Sequence, residues 1–486
     1  MRTTSSELLI EVDRSRPRGL RAQIEGQLRD AIRTGRLGAG TPLPATRTLA
    51  TDLGVTRGVV VAAYDQLLAE GYLAARRGSA TVVNATAATA ATSPQPGPSV
   101  VDAVVDFRTA LPDLSLFPRA AWLRATRAAM QSLPDEHLGY ADPRGLPQLR
   151  TAVADYLGRV RGVTADADQV VICNGFGHGL SLLAPVLRAA GCELFATEDP
   201  GHQAPRAELD WLGVPHCGVP VDDDGVVVDR VRQSGARVVL VTPAHQYPTG
   251  AVLAPSRRQA LVRWAAAVDG YVVEDDYDAE YRYGSHPVGA MQGLAPERVI
   301  YSGTLSKSLA PGLRLGWLVL PRPLVEPLAT SRLRTDYATS SHLQATCAAF
   351  LANGDLDRHL RRTRRVYRQR RDVLIAALAR WLPHATVDGV AAGLHVVVTL
   401  PPGLDEELLT EHAADAGVRV YPLGRYRRIA QPGAPPALVL GYGSLSPRTI
   451  EEGIRRLADA AAAASETGGS DRPQTLVSRS GITSHH

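Results

Sequence analysis

Lysine is almost missing from this 486-residue chain: Lys307 is the one lysine among 53 basic residues. A guanidinium does not lose its proton in a protein, so the arginines offer no neutral amine and Lys307 stands apart chemically. Cysteine is scarce too. Cys173, Cys192, Cys217 and Cys347 show neither paired nor metal-ligand spacing, which argues against a disulfide scaffold or a zinc ribbon and predicts buried thiols in a reducing cytoplasm. No metal is expected. No apolar run approaches the roughly 18 residues that a membrane span needs. The first residues lack a charged-then-apolar leader pattern, so a cytoplasmic location is expected. What is abundant is length: 486 residues allow two or three domains and a large self-sufficient core.

Lys307 lies in Tyr301-Ser-Gly-Thr304-Leu-Ser306-Lys307-Ser-Leu-Ala-Pro-Gly-Leu-Arg314-Leu-Gly316. Residues 298–301 and 315–320 predict short strands, which puts the lysine in a loop dense in hydroxyls and glycine. A lysine made neutral by burial and nearby cations attacks carbonyls to form a Schiff base. Thr304 and Ser306 can each donate one hydrogen bond to a phosphate, and Arg314 can donate a fork. A Schiff-base lysine beside a phosphate cradle points to pyridoxal 5′-phosphate (PLP), whose pyridine nitrogen needs an acid if the ring is to act as an electron sink. Gly270-Tyr-Val-Val-Glu-Asp275-Asp276-Tyr277-Asp278 supplies one, an apolar strand running into carboxylates. Asp275 is the choice for the ring nitrogen and Tyr277 for the phenolic oxygen. Alone, such a cluster also reads as a solvated strand end. Residues 169–180 form an apolar strand, a glycine turn at Asn174-Gly175-Phe176-Gly177 and a helix start. That turn suits a phosphate or simply tight packing. Glu198-Asp-Pro-Gly-His202 and Thr242-Pro-Ala-His245-Gln246-Tyr247-Pro248-Thr249-Gly250 are turns after strands, where open α/β sheets place ligands.

Taken in order, the glycine turn, E-D-P-G-H, H-Q-Y-P-T-G, E-D-D-Y and S-K-S-L-A-P-G-L-R resemble the aspartate-aminotransferase fold (fold type I) of PLP enzymes, over about residues 105–460. H-Q-Y-P-T-G is similar to its MocR branch, the aminotransferase-like transcription regulators. The resemblance implies an α/β domain with large and small subdomains. It implies Lys307 as the Schiff-base residue, Asp275 at the pyridine nitrogen and Tyr277 at the ring hydroxyl. It implies Thr304, Ser306 and Arg314 around the phosphate, Gly175 and Phe176 as the phosphate turn, His202 at the ring-stacking position and Gln246 among the cofactor contacts. It also implies a homodimer with the site at the subunit interface. The chain departs from the pattern in three places. Tyr247 stands where plain aminotransferases have an asparagine before Pro-Thr-Gly, and His202 replaces a frequent tyrosine. Val439 stands where a strand arginine grips the substrate carboxylate. That recognition would fall elsewhere; Arg425 is nearest along the chain and reads equally well as a solvated loop arginine.

The first eighty residues follow another pattern. Leu20, Ile24, Leu28 and Ile32 form one helical stripe at i+4 steps. Thr46 is expected to cap a second helix and Thr56-Arg57 a third, with a tight turn at Gly54 between them. Residues 71–83 read as a hairpin with Arg76 and Arg77 at its tip. Helix, helix, turn, helix and basic hairpin make a winged helix-turn-helix, mainly α with a small β part. L-P-A-T-R-T-L-A-T-D-L-G-V-T-R resembles the GntR-type DNA-binding domain. Residues 1–84 hold 12 arginines and 8 acids, a net +4 that equals the whole-chain charge. A positive excess confined to one small domain fits phosphate contact with double-stranded DNA. Arg47, Thr56 and Arg57 should face the DNA, with Arg76 and Arg77 at backbone or minor groove.

The expected organisation is a DNA-binding domain over 14–83, a linker over 84–104, a PLP domain over 105–463 (large part about 120–330, small part 331–463) and a disordered tail over 464–486. Residues 358–371 carry eight arginines, read as the solvated face of a long helix with Leu356, Leu360 and Tyr367 inward. Two functions remain: a transcription regulator sensing a small amine, an amino acid or PLP itself, and an active aminotransferase with an appended DNA-binding domain. The valine at 439 argues against ordinary amino-acid turnover, while the Lys307–Asp275 pair keeps Schiff-base chemistry open.

Overall fold

The computed structural model of the protein describes residues 10–14, 19–75, 80–84, 105–284, 288–429, 431 and 433–468. The chain divides into two compact units, residues 1–101 and 102–486.

In the first unit, the helix Leu20–Arg33 buries Ile24, Leu28 and Ile32, the stripe read from the sequence. It packs against the helix Arg57–Ala69, as does the short helix Thr46–Asp52. Tyr64 fixes this corner by donating from its hydroxyl to the carbonyl of Pro44 at 3.0 Å. β1 (Leu73–Ala74) and β2 (Val82–Val83) pair antiparallel, with Leu73 opposite Val83. The expected threonine caps are not made. Ala45 holds the first N-cap position, and Thr56 holds the second without a side-chain bond to the helix. Thr46 Oγ1 instead lies 3.4 Å from Arg57 Nε on the neighbouring helix. Arg76 and Arg77 fall outside the described residues, as does the expected linker beyond Asn84.

The described strands of the second unit are β3 (Val105–Asp106), β4 (Val170–Cys173), β5 (Phe195–Asp199), β6 (His216–Asp222), β7 (Gly225–Val226), β8 (Val238–Val241), β9 (Tyr271–Asp276), β10 (Val299–Thr304), β11 (Gly316–Val319), β12 (Thr386–Asp388), β13 (His395–Thr399), β14 (Val418–Arg419), β15 (Tyr421–Pro422) and β16 (Ala437–Gly441). Eight form one sheet in the order β4-β11-β10-β9-β8-β5-β6-β7. β6, β5, β8, β9 and β10 run parallel, and β11 reverses between β10 and β4. A parallel sheet covered on both faces needs apolar residues at every strand position. β8 meets this with Val238 and Leu240 in one core and Val239 and Val241 in the other. The helices Phe176–Ala189 and Arg322–Leu333 cover the first face, and Pro255–Ala267 the second.

A second sheet, β12-β13-β16-β15, lies with the helices Asp355–Trp381, Glu406–Asp415 and Pro447–Gly468. β3 pairs in parallel with β14 as a separate two-stranded sheet. The helix Ser341–Ala352, expected in the small part, packs on Arg119–Ser132 and Pro147–Arg161 instead. Burial explains this: Phe350 meets Trp122 at 5.3 Å between ring centroids, and the Gln344 side chain accepts from the Leu146 amide at 2.7 Å. Leu356, Leu360 and Tyr367 face inward on Asp355–Trp381, as read. Its arginines do more than meet solvent. Arg364 donates to the Glu280 carbonyl, Arg368 to the Tyr283 carbonyl, and Arg370 pairs with Asp113 at 2.6 Å. The last helix runs to Gly468, past the expected end at 463. Cys173, Cys192 and Cys347 are buried, whereas Cys217 is only partly so.

The end of β9 is anchored by a buried ion pair. Arg161 donates to both oxygens of Asp276 at 2.7 and 3.1 Å, and the Tyr301 hydroxyl donates to the same carboxylate at 2.7 Å. Removing one partner of such a pair leaves a buried charge alone, at a cost of about 3–5 kcal/mol. Arg161→Met should therefore lower the urea midpoint followed by circular dichroism, and an unchanged midpoint would refute this assignment.

Candidate functional site

The carboxyl ends of β5, β8, β9 and β10 lie at one edge of the large sheet, so the loops carrying Glu198–His202, Thr242–Gly250, Asp275–Asp278 and Thr304–Lys307 meet there. The register sets Ser302 beside Asp275, which brings the lysine loop alongside the carboxylate cluster.

Three groups converge at the glycine turn. A side chain placed on Gly175 would begin 3.8 Å from Thr304 Oγ1 and 3.8 and 3.9 Å from the two terminal nitrogens of Arg314. Gly175 has φ +97°, a conformation glycine adopts readily. The helix Phe176–Ala189 starts there without a side-chain cap, leaving its first N–H groups for a ligand. Thr304 Oγ1 donates to Ser306 Oγ at 3.0 Å, so both hydroxyls belong to one cluster. Arg314 is exposed, and its guanidinium makes no hydrogen bond or ion pair with any described residue. Here the predicted phosphate residues Gly175, Thr304, Ser306 and Arg314 are brought together.

Lys307 is half-buried, and its amine likewise has no hydrogen bond or ion pair with a described residue. Burial pushes its pKa below 10.5, against the opposing pull of Asp275 and Asp278. Asp275 keeps one oxygen, Oδ1, buried without a partner. Burial, then repulsion from Asp276, raises its pKa to about 8, while Lys307 pulls the other way. Its neighbours are all compensated. Glu274 accepts from the amides of Met291 and Gln292 at 2.9 and 3.1 Å. Asp276 has Arg161, and Asp278 lies 2.9 Å from His245 Nδ1. Tyr277 is buried with its hydroxyl 3.1 Å from the same nitrogen. A cavity beside the helix start is lined by Phe176, Glu198, His202, Thr242 and Asp275, which places the predicted turn, stacking and ring-nitrogen residues around one space.

His202 is exposed in area but recessed among the site's atoms. That surrounding, with the Lys307 and Arg206 charges, pushes its pKa down. Its Nδ1 accepts from the Ala204 amide at 3.1 Å, and its ring lies 5.0 Å from that of Tyr247. Gln246, expected among the cofactor contacts, is spent on the protein. Its amide nitrogen donates to Glu198, Pro200 and Tyr247, and its oxygen accepts from Thr249. It shapes the turn rather than facing a ligand. Arg425 sits at the rim with its guanidinium over the Tyr421 ring at 5.7 Å, exposed rather than inside. Val439 is fully buried in β16, so no charged group enters from that position.

Several site residues were not singled out from sequence. Thr109 Oγ1 lies 2.7 Å from the Tyr247 hydroxyl, which is 3.4 Å from that of Tyr426. His245, Asp278 and His395, all buried, bring ligand-type atoms within 4.8 Å of one another. His245 stood inside a quoted motif. Thr109, His395 and Tyr426 carried no local signal, since each reaches the site from distant chain.

In the first unit, Arg47 and Arg57 are exposed at the starts of two helices and have no acidic partner among the described residues. Other arginines of the unit are neutralised, Arg21 by Glu25 and Arg29 by Glu70. Thr56 is exposed beside Arg57. Arg47 and Arg57 thus place unpaired positive charge at helix starts, where DNA phosphate can be met.

Comparison with known proteins matches residues 113–457 to the family "Aminotransferase class I and II" and residues 20–83 to "Bacterial regulatory proteins, gntR family". The probable rhizopine catabolism regulatory protein MocR of Rhizobium meliloti is 34% identical over 487 residues, covering 95% of this chain and 97% of that protein. The pyridoxine biosynthesis transcriptional regulator PdxR of Corynebacterium glutamicum is 34% identical over 459 residues, covering 94% and 99%. Among solved structures, kynurenine aminotransferase of Pyrococcus horikoshii has a TM-score of 0.68 at 27% identity, covering 75% of this chain and 92% of that one.

A lysine with a lowered pKa keeps more neutral amine at a given pH. In cofactor-free protein, arylation of Lys307 by fluorodinitrobenzene, followed by peptide mapping, should give a rate that levels off below pH 10.5. A profile centred on 10.5 or above would contradict the burial argument.

Proposed function

Because this chain belongs to the aminotransferase class I and II family and carries a GntR-family domain, as MocR-type regulators do, we propose that it is a DNA-binding transcription regulator that senses through PLP. The observation carrying this reading is that the Arg314 guanidinium, the Lys307 amine and the buried Oδ1 of Asp275 all lack partners among the described residues, within one site. Those are the three attachments PLP requires, at its phosphate, its aldehyde and its ring nitrogen. The residues present fit the group: an orphaned buried oxygen is costly and is relieved by a charged donor.

Lys307 would hold the aldehyde carbon, condensing with loss of the aldehyde oxygen as water. Asp275 would accept from the pyridine N–H, and ionisation of its carboxyl would be restored by that positive donor. Thr304, Ser306, Arg314 and the amides after Gly175 would bind the phosphate, with Phe176 in the turn. His202 and Tyr247 would flank the ring. When bound, PLP supplies an electron sink for a group attached at its aldehyde carbon. A competing amine or amino acid would return Lys307 to a free amine beside Asp275 and Asp278, and that difference is what the site can signal. A preference of a few kcal/mol between the two states suffices to switch occupancy. PLP itself is the other candidate effector.

Active transamination is the second reading. The intact Lys307 and Asp275 favour it, and the valine at 439 with Arg425 at the rim opposes it. A homodimer is proposed from the resemblance to the aminotransferase fold; Leu123, Leu138 and Tyr140 are 67%, 61% and 92% exposed. Among the described residues no helix is long and apolar enough to cross a membrane.

Borohydride reduction of PLP-treated protein should place a pyridoxyl group on Lys307 and none in Lys307→Ala; an adduct-free wild type would end the PLP reading. Asp275→Asn keeps the shape but not the charge, and should raise the PLP dissociation constant by roughly 10- to 100-fold, from the ~1.5–3 kcal/mol of a charged hydrogen bond. On the DNA side, Arg57→Ala should weaken operator binding and flatten the slope of log K against log salt by about 1. The PLP spectrum should stay as it is, and unchanged DNA binding would remove Arg57 from the interface.

A further inference from the structure

His245 lies in the turn after β8, 4% exposed, between the end of β9 and the small sheet. Its Nδ1 faces two oxygens, Asp278 Oδ2 at 2.9 Å and the Tyr277 hydroxyl at 3.1 Å. The ring is nearly parallel to that of Tyr277, at 27° and 6.2 Å, and lies 5.1 Å from that of His395. The surrounding backbone is shaped to admit it. Gly393 has φ +70°, and a Cβ there would collide with the His245 ring and stand 2.5 Å from Asp278 Oδ2. Two hydroxyls, of Tyr283 and Tyr442, hold the Gly393 carbonyl at 2.8 and 2.6 Å.

The proton positions follow from who can accept. A carboxylate oxygen has no hydrogen to give, so the hydrogen between Asp278 and His245 sits on Nδ1. Asp278 also lies close enough to compete for the Tyr277 proton. With His245 engaging the carboxylate, that competition is met by the imidazole and the phenolic O–H is free to point elsewhere. His395 does not disturb this arrangement. Its Nε2–H donates to the Pro248 carbonyl at 3.0 Å, and its Nδ1 is buried without a partner. Burial, followed by the His245 and Lys307 charges, keeps it neutral with a pKa of about 4.

We propose that His245 is a positioning residue: by occupying Asp278 it directs the Tyr277 hydroxyl outward, to donate to the ring oxygen of the bound cofactor. The inference rests on the PLP reading above. A donor at that oxygen stabilises its anion, so withdrawing the donor makes the oxygen hold a shared proton more tightly. The groups facing His245 are Asp278, Tyr277 and His395, with Lys307 and Asp275 in the same site.

The test uses full-length protein loaded with PLP, reading the pH midpoint of its visible absorbance band. Tyr277→Phe should move the midpoint up by roughly one unit, a tenfold change in proton affinity. His245→Phe should do the same, and the double variant should go no further than either alone. Two amide variants separate position from bulk. His245→Asn sets an N–H where Nδ1 stands and should keep the wild-type midpoint, whereas His245→Gln, with its N–H near the Nε2 position, should behave like His245→Phe. The proposal falls if His245→Phe leaves the midpoint unmoved while Tyr277→Phe shifts it, or if Asn and Gln act alike. Absence of a reducible pyridoxyl adduct on Lys307 in the wild type would instead overturn the PLP reading and this inference with it.

Discussion

Four of the five residues from Glu274 to Asp278 are acids, and the fold buries nearly all of their charge at one strand end. Burying a carboxylate is tolerable only when it is paired, hydrogen-bonded or protonated. Glu274 has two backbone amides, Asp276 has Arg161 and Tyr301, and Asp278 has His245. Asp275 alone is left with an unmatched oxygen and a pKa raised to about 8. The proposed affinity for a nitrogen heterocycle would follow from that imbalance. The three compensated acids hold the strand end rigid, and the fourth is free to be satisfied from outside.

The chain's preference for arginine has a structural counterpart. Arg161, Arg332 and Arg370 are buried and reach several carbonyl or carboxylate oxygens at once, which a planar fork does well and an ammonium does poorly. Arg206 and the segment 426–428 tie the small sheet's loop to the turn before His202, so the site is closed partly by backbone contacts. The hydroxyls of Thr109, Tyr247 and Tyr426 meet across this closure.

The DNA-facing unit works by different physics. Its core is small, and its affinity would come from unpaired arginines whose field is screened by salt. The cofactor site works in low dielectric, where single partners matter. On the proposed function, one chain would carry a salt-sensitive reader and a cofactor site shielded from salt, and each unit has its own core.

Much of this was legible in the linear chain because it is local. The helix stripe at Ile24, Leu28 and Ile32, the glycine turn at Gly175 and the hydroxyls flanking Lys307 are set by spacing within a few residues. Where local reasoning failed, a distant partner was responsible. Thr46 turned toward Arg57 instead of capping its own helix, and Gln246 was absorbed by the loop around Glu198. The helix Ser341–Ala352 followed Trp122 and Leu146 to the large part. The amino-acid order alone determined which residues are candidates for amine, acid and phosphate contacts, since motif chemistry depends on residue type and short spacing. Only the tertiary structure decided which acid stays unpaired and which histidine stands behind Tyr277, because burial and pairing are made by segments far apart in the chain.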